Sequence, residues 1–224
     1  MPIKADLHVH TCYSRDAITT LKDLILYSKK RGLNAVAVTD HDTLEGTLKV
    51  KKANGLTLIP GTEVTTRNGH VLALNLTMPI PKGFELAETV ERIHEANGIA
   101  IAPHPSAFLK SSLGSGALQK SVKMDAVEVI NSSAFPFFLS TQLGRRLATR
   151  LNLPQTAGSD SHIPETIGLA YTIIDANPNV EDIIDAIKRG FTVPYGRSVP
   201  IRLRFKKIVA KKRGEECFLQ NFSS

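Results

Sequence analysis

The strongest constraint on this chain is a set of short polar runs, each closing an apolar, β-branched stretch and each carrying imidazole or carboxylate. They are Asp6-Leu7-His8-Val9-His10 with Asp16 soon after, Thr39-Asp40-His41-Asp42, Gly61-Thr62-Glu63 followed by His70, Pro103-His104-Pro105, and Ser159-Asp160-Ser161-His162. Six of the seven histidines fall within them, spread over more than 150 residues. Imidazole and carboxylate are the usual ligands of zinc, manganese and iron, and nine such groups converging could hold two or three ions.

Between these runs the apolar stretches alternate with helical patterns, which predicts an α/β layout of parallel strands. Strands are expected near 3–10, 35–41, 57–66, 70–77, 99–105, 126–132, 155–160 and 169–174, and helices near 19–31, 43–53, 85–96, 137–150 and 180–189. In a barrel of parallel strands the working residues sit at the C-terminal ends. Every candidate ligand except His70 lies at or just past such an end, which points to one shared mouth. Side chains alternate across a strand, so His8 and His10 share a face. Asp6 lies one step deeper on it, where it is expected to accept the second ring N–H of a ligating histidine. Asp40 and Asp42 flank His41 as supporting carboxylates or helix caps. His94 reads as a surface residue, and Cys12 as a small buried or half-buried thiol near the mouth.

Composition bounds the setting. At 224 residues the chain reads as one domain, with two cysteines, Cys12 and Cys217, too few for a disulfide framework. No signal peptide and no apolar run of spanning length is visible, so a reducing cytoplasm with no membrane contact is the expectation. Eight basic residues against Glu215 and Glu216 follow residue 196, so most of the net charge of +7 belongs to the C-terminal segment. The expected organisation is a barrel over 1–200 and a basic tail over 201–224. Within the tail, Ile201-Arg202-Leu203-Arg204-Phe205-Lys206 alternates apolar and basic residues, so an extended segment would show one cationic face suited to a polyanion. A solubilising terminus explains it equally well. No GxxxxGK phosphate loop and no economical nucleophile triad is present.

The ordered motifs Asp-Leu-His-Val-His-Thr, Val-Thr-Asp-His-Asp-Thr, Gly-Thr-Glu-Val, Ala-Pro-His-Pro and Gly-Ser-Asp-Ser-His resemble those of the PHP (polymerase and histidinol phosphatase) superfamily over roughly residues 4–175. That resemblance implies a distorted seven-stranded (β/α) barrel with a metal centre at the C-terminal ends of the strands, hydrolysing phosphoesters by a metal-bridged hydroxide. It implies a first ion on His8, His10, Glu63 and Asp160, a second on Glu63, His70 and His104, and a third on Asp16, His41 and His162, with Glu63 bridging the first two. Many members carry histidine where Asp16 stands. The cofactors implied are two or three divalent ions of zinc, manganese or iron.

The short link from Glu63 to His70 and the run Ile167-Gly168-Leu169-Ala170-Tyr171 after His162 look like the compact TrpH-like branch, which implies nucleotides or RNA or DNA ends as substrate. Arg15, Arg67, Asn131 and Arg197 are the candidate phosphate contacts at the mouth. A histidinol-phosphate-type small-molecule phosphatase and a non-catalytic metal- and nucleic-acid-binding subunit stand as alternatives.

Overall fold

The protein is described by a computed structural model covering residues 2–50, 53, 55–106, 113, 118 and 121–208. Among the described residues nine strands form one sheet: β1 Ile3–Val9, β2 Ala35–Val38, β3 Thr57–Thr66, β4 Gly69–Leu74, β5 Ile99–Ala102, β6 Ala126–Asn131, β7 Gln155–Gly158, β8 Ala170–Ile174 and β9 Thr192–Gly196. Their order is β7-β6-β5-β4-β3-β2-β1-β8-β9. The two edges then approach each other. Thr172 on β8 gives its hydroxyl to Ala157 O (3.0 Å) and accepts from Ala157 N (2.9 Å), and Thr192 Oγ1 donates to Gln155 O at 2.9 Å. The sheet is therefore a nearly closed barrel.

Two features depart from the expected layout of parallel strands. The link between β3 and β4 is only Arg67-Asn68, too short for a crossover, so β4 runs antiparallel to β3 and to β5. At the other side β8 is antiparallel to β1, and β9, which the sequence did not announce, is antiparallel to β8 as an edge strand carrying Pro194. The reversal of β4 explains His70. It starts an antiparallel strand, so it reaches the same rim as residues that end parallel ones.

Helices α1 Leu21–Lys30, α2 Glu45–Lys49, α3 Leu86–Glu95, α4 Phe137–Leu151 and α5 Val180–Lys188 flank the sheet. The Thr20 hydroxyl caps α1 by accepting from Asp23 N, and Asn179 caps α5 by accepting from Asp182 N. Helix α5 packs Ile183, Ile184 and Ile187 into a core with Ile3, Ile99, Ala126 and Ile174. Those partners begin parallel strands or end antiparallel β8, so α5 plugs the end of the barrel opposite the ligands. No described helix is long and apolar enough to cross a membrane. Residues 201–208 are helical, so the alternating basic stripe is not extended there; Pro200 stands directly before the helix, where its fixed φ suits a first turn. Residues 211–213, the rest of the basic cluster, lie outside the described residues.

Candidate metal centre

Strand ends bring all nine expected ligands to one rim. His8 is the penultimate residue of β1 with His10 just beyond the strand, His41 follows β2, Glu63 lies in the second half of β3, His70 is the second residue of β4, His104 follows β5, and Asp160 and His162 follow β7. Asp16 reaches the rim from the loop before α1. The register of β1 against β2 shifts between Asp6 and Val9, directly beneath His8, and such shifts re-aim side chains beside functional sites. Asp42, His104 and Asp160 hold φ values of 55, 31 and 52°, a left-handed backbone that costs energy in residues of this kind and gathers at functional sites.

Glu63 is the hub. Its Oε1 lies 3.1 Å from both His70 Nδ1 and His104 Nε2, while its Oε2 lies 3.3 Å from His10 Nε2 and His41 Nδ1 and 3.5 Å from His8 Nε2. Asp160 Oδ1 stands 3.7 Å from His10 Nε2 and 3.9 Å from His8 Nε2. On the outer side Asp16 reaches His162 Nε2 at 3.2 Å and His41 Nε2 at 3.8 Å. Burial opposes a charged Glu63, but His8 and the bonds from His10, His104 and His70 outweigh it and hold the carboxyl well below its usual range.

The donor set fits cations better than it fits itself. His8 Nδ1 donates to Glu128 Oε1 (3.0 Å), and His10 Nδ1 donates to Ser14 Oγ (3.2 Å), whose single proton goes to Asp40 (2.8 Å). Were both rings neutral with these tautomers, inferred from the network, both Nε2 atoms would present lone pairs, yet they are 3.1 Å apart. Such a contact needs a shared proton or a cation between the rings. Ligands at about 2.1 Å from one ion stand roughly 3.0–3.4 Å from each other, the spacing seen here. His162 repeats the pattern: burial disfavours its charge, Nδ1 donates to Asp160 O (3.1 Å), and Nε2 then turns a lone pair toward Asp16 Oδ2.

Supporting residues differ from expectation in instructive ways. Asp6 does not touch a histidine ring. Its carboxylate accepts from the main-chain N–H groups of His8 (3.3 Å), Ser159 (2.9 Å) and Gly168 (2.8 Å), stitching β1 to the loops after β7, and burial raises it to about 6 despite those bonds. The ring contact belongs to Glu128, which also accepts from His104 N (2.9 Å) and Asn131 Nδ2 (2.8 Å). A lone glutamate in the fully buried strand Ala126–Asn131 was the available signal, since an unpaired acid is rarely buried. Asp40 acts through Ser14 and accepts from Thr11 N (2.6 Å) and Thr11 Oγ1 (2.7 Å). Asp42 accepts from Thr65 N at 2.7 Å, tying the loop after β2 to β3. Gly158 is required where β7 meets β1: an added Cβ would lie 2.4 Å from His8 Cβ and 2.6 Å from Glu128 Oε1.

Of the candidate phosphate contacts, Asn131 is buried and donates to Asp160 Oδ2 (3.2 Å), so it orients a carboxylate. Arg67 is engaged by Gly83 O (3.1 Å) and Glu85 (3.3 Å) away from the cluster. Arg15 lines a cavity of about 510 Å³ beside Asp16 and His41, together with Lys82, which sequence reasoning missed. Arg197 is exposed at the rim just past β9. Cys12 is buried and disulfide-bonded, so the expected thiol is not there to join the cluster. His94 is half-buried and pairs with Asp125 at 2.8 Å, outside the centre.

Fold and cluster together define a barrel whose rim gathers histidines and carboxylates that could hold metal ions. The PHP domain model matches residues 6–131 and the PHP-associated model residues 140–192, and the chain belongs to the PHP family. An uncharacterized protein of Methanocaldococcus jannaschii is 37% identical over 58% of this chain and 82% of its own. A 5′-3′ exoribonuclease of Haemophilus influenzae is 31% identical over 45% of this chain and 39% of its own. Among solved structures, a two-domain protein of Bacteroides vulgatus containing a predicted PHP-like metal-dependent phosphoesterase superposes with a TM-score of 0.69 at 18% identity. This chain is covered to 88% there and spans 65% of that protein.

Proposed function

We propose that the protein is a metal-dependent hydrolase of phosphoesters on nucleotides or nucleic-acid ends, with a substrate range like that of the TrpH-like branch. The observation that carries the reading is the Glu63 carboxylate, faced by five imidazoles and divided between them oxygen by oxygen. His8, His10, Asp160 and Glu63 would hold one ion, Glu63, His70 and His104 a second, and Asp16, His41 and His162 a third. Bound divalent ions supply Lewis acidity toward a phosphoryl oxygen and a water-derived nucleophile near neutral pH.

The protein's own contribution is positional. Glu128 fixes the His8 ring and the His104 backbone, Asp40 and Ser14 fix His10, and Asn131 orients Asp160, so the ligands are set before substrate arrives. Asp16 and His41 are the exposed members, so the phosphoryl group enters from their side. There Arg15 and Lys82 line the polar cavity and would neutralise its charge. Ribonucleolytic activity in the Haemophilus influenzae relative supports a nucleic-acid substrate.

A phosphate-release panel tests this: AMP, a short 5′-phosphorylated RNA and histidinol phosphate, each with added manganese or zinc. Release from AMP or RNA is expected. A clear preference for histidinol phosphate would favour the small-molecule phosphatase, and no release from any substrate by metal-loaded protein would favour a binding subunit.

A further inference from the structure

Asp16 lies at the junction of two cavities of opposite character. The polar one holds Arg15 and Lys82. The other, about 410 Å³, is mainly apolar and is lined among the described residues by Phe135, Val199 and Ile208 with Ser133, Arg204 and Lys207. We infer that this second cavity is a nucleobase subsite, in which the ring of a substrate held at the metal centre stacks on Phe135. The inference rests on the proposed phosphoesterase reading and extends it to the group that carries the phosphate.

Three observations carry it. Phe135 and Ile208 are 54% and 65% exposed, an apolar wall in a cavity that shares Asp16 with the ligand cluster, where a small polar alcohol would bury nothing. The wall is also held in place. Arg204 donates to Ser133 O (3.1 Å), Ala134 O (3.2 Å), Val199 O (3.2 Å) and Ser198 Oγ (2.9 Å), and its guanidinium carbon stands 5.5 Å from the Phe135 ring centroid. That clasp joins the loop before α4 to the helical segment 201–208, so the aromatic platform is pre-organised. Lastly, an aromatic face flanked by cations, here Arg204 and Lys207, is the usual chemistry for holding a base and its phosphate. The volume falls within the range of small-ligand pockets.

The test uses the full chain loaded with manganese and two variants, Phe135→Ala and Phe135→Tyr. Phe135→Ala is expected to raise KM for AMP by about 5- to 150-fold, the span of base–aromatic stacking, with hydrolysis of ribose 5-phosphate little changed. Phe135→Tyr, which keeps the ring, should restore the AMP value. Adenosine, which carries no phosphate, should bind the wild type and lose affinity in Phe135→Ala by a similar factor in a calorimetric titration. Ile208→Ala, on a strongly exposed side chain, should weaken adenosine in the same sense by less, and serves if Phe135→Ala does not fold. Equal effects on AMP and ribose 5-phosphate, or adenosine binding indifferent to both positions, would overturn the subsite. Absence of phosphate release from every substrate would instead remove the phosphoesterase reading, and the adenosine titration would still decide the subsite.

Discussion

The inner and outer halves of the candidate centre are built to different standards. His8, His10, Glu63 and His104 are each at most 5% exposed, and His8 and His10 are braced from behind by Glu128 and Ser14. On the outer side His41 and Asp16 keep 28% and 30% of their side-chain surface, beside the two cavities. Closed, braced ligand sets hold ions firmly, whereas open ones leave a position for substrate or water. On the proposed reading, the contrast separates a half that would retain metal from a half that would meet substrate.

Glu63 belongs to both halves, so Glu63→Gln should have the largest effect. Phosphate release with saturating metal should fall by more than about 100-fold, beyond the 10–100-fold typical of residues that only brace ligands. Near wild-type release would mean that the two halves do not share a carboxylate. Glu128→Gln attacks the inner half alone: its Oε2 receives two N–H donors, and an amide cannot satisfy them together with the His8 ring. Metal affinity in a competition titration should drop about 10- to 100-fold, and an unchanged affinity would remove the bracing from the comparison. Asp16→Asn should be milder still. Elemental analysis should show the outer ion lost and the inner ones kept; loss of all ions at once would show one cooperative cluster in place of two halves.

The smallest expected effect is on pH dependence, measured by thermal melts with and without chelator. In metal-free protein, burial opposes a charged His8 but Glu128 and Glu63 outweigh it and lift it to about 9. Its stabilisation is complete below the ordinary value of 6.5 and is lost as pH rises through 9. Burial pushes His10 and His41 down to about 4, so their contribution is present above 6.5 and lost as pH falls toward 4. Metal-free melting temperature should thus peak near 6.5, and loading should flatten the alkaline fall by replacing the proton on His8. A metal-free protein that gains stability steadily from pH 7 to 9 would contradict this.

The outer shape of the centre was legible because its ligands interrupt apolar strands at their ends, and the His8-x-His10 alternation fixes a shared face. What escaped was the bracing. Asp6 was credited with the ring contact because it shares the parity of His8, but parity gives the face and not the partner, and Glu128 arrives from a strand 120 residues away. β9 was missed because Pro194 interrupts the short run Thr192–Gly196 and removes a ladder donor, which demotes such a run from a strand reading. The segment 201–208 misled because alternation over six residues fits a strand, while the helix there is set by Pro200 and by Arg204 reaching into the loop at 132–134.

Asp6 carries a consequence for how the chain comes into being. Its bonds to Ser159 and Gly168 span 153 and 162 residues and lock the strand that bears His8 and leads into His10. At synthesis rates of about 5–20 residues per second, that strand waits roughly 8–30 s for its partners to emerge. Until then the growing chain offers most of its histidines but no enclosure around them. Metal loading is accordingly a late event, open only once nearly the whole barrel has left the ribosome.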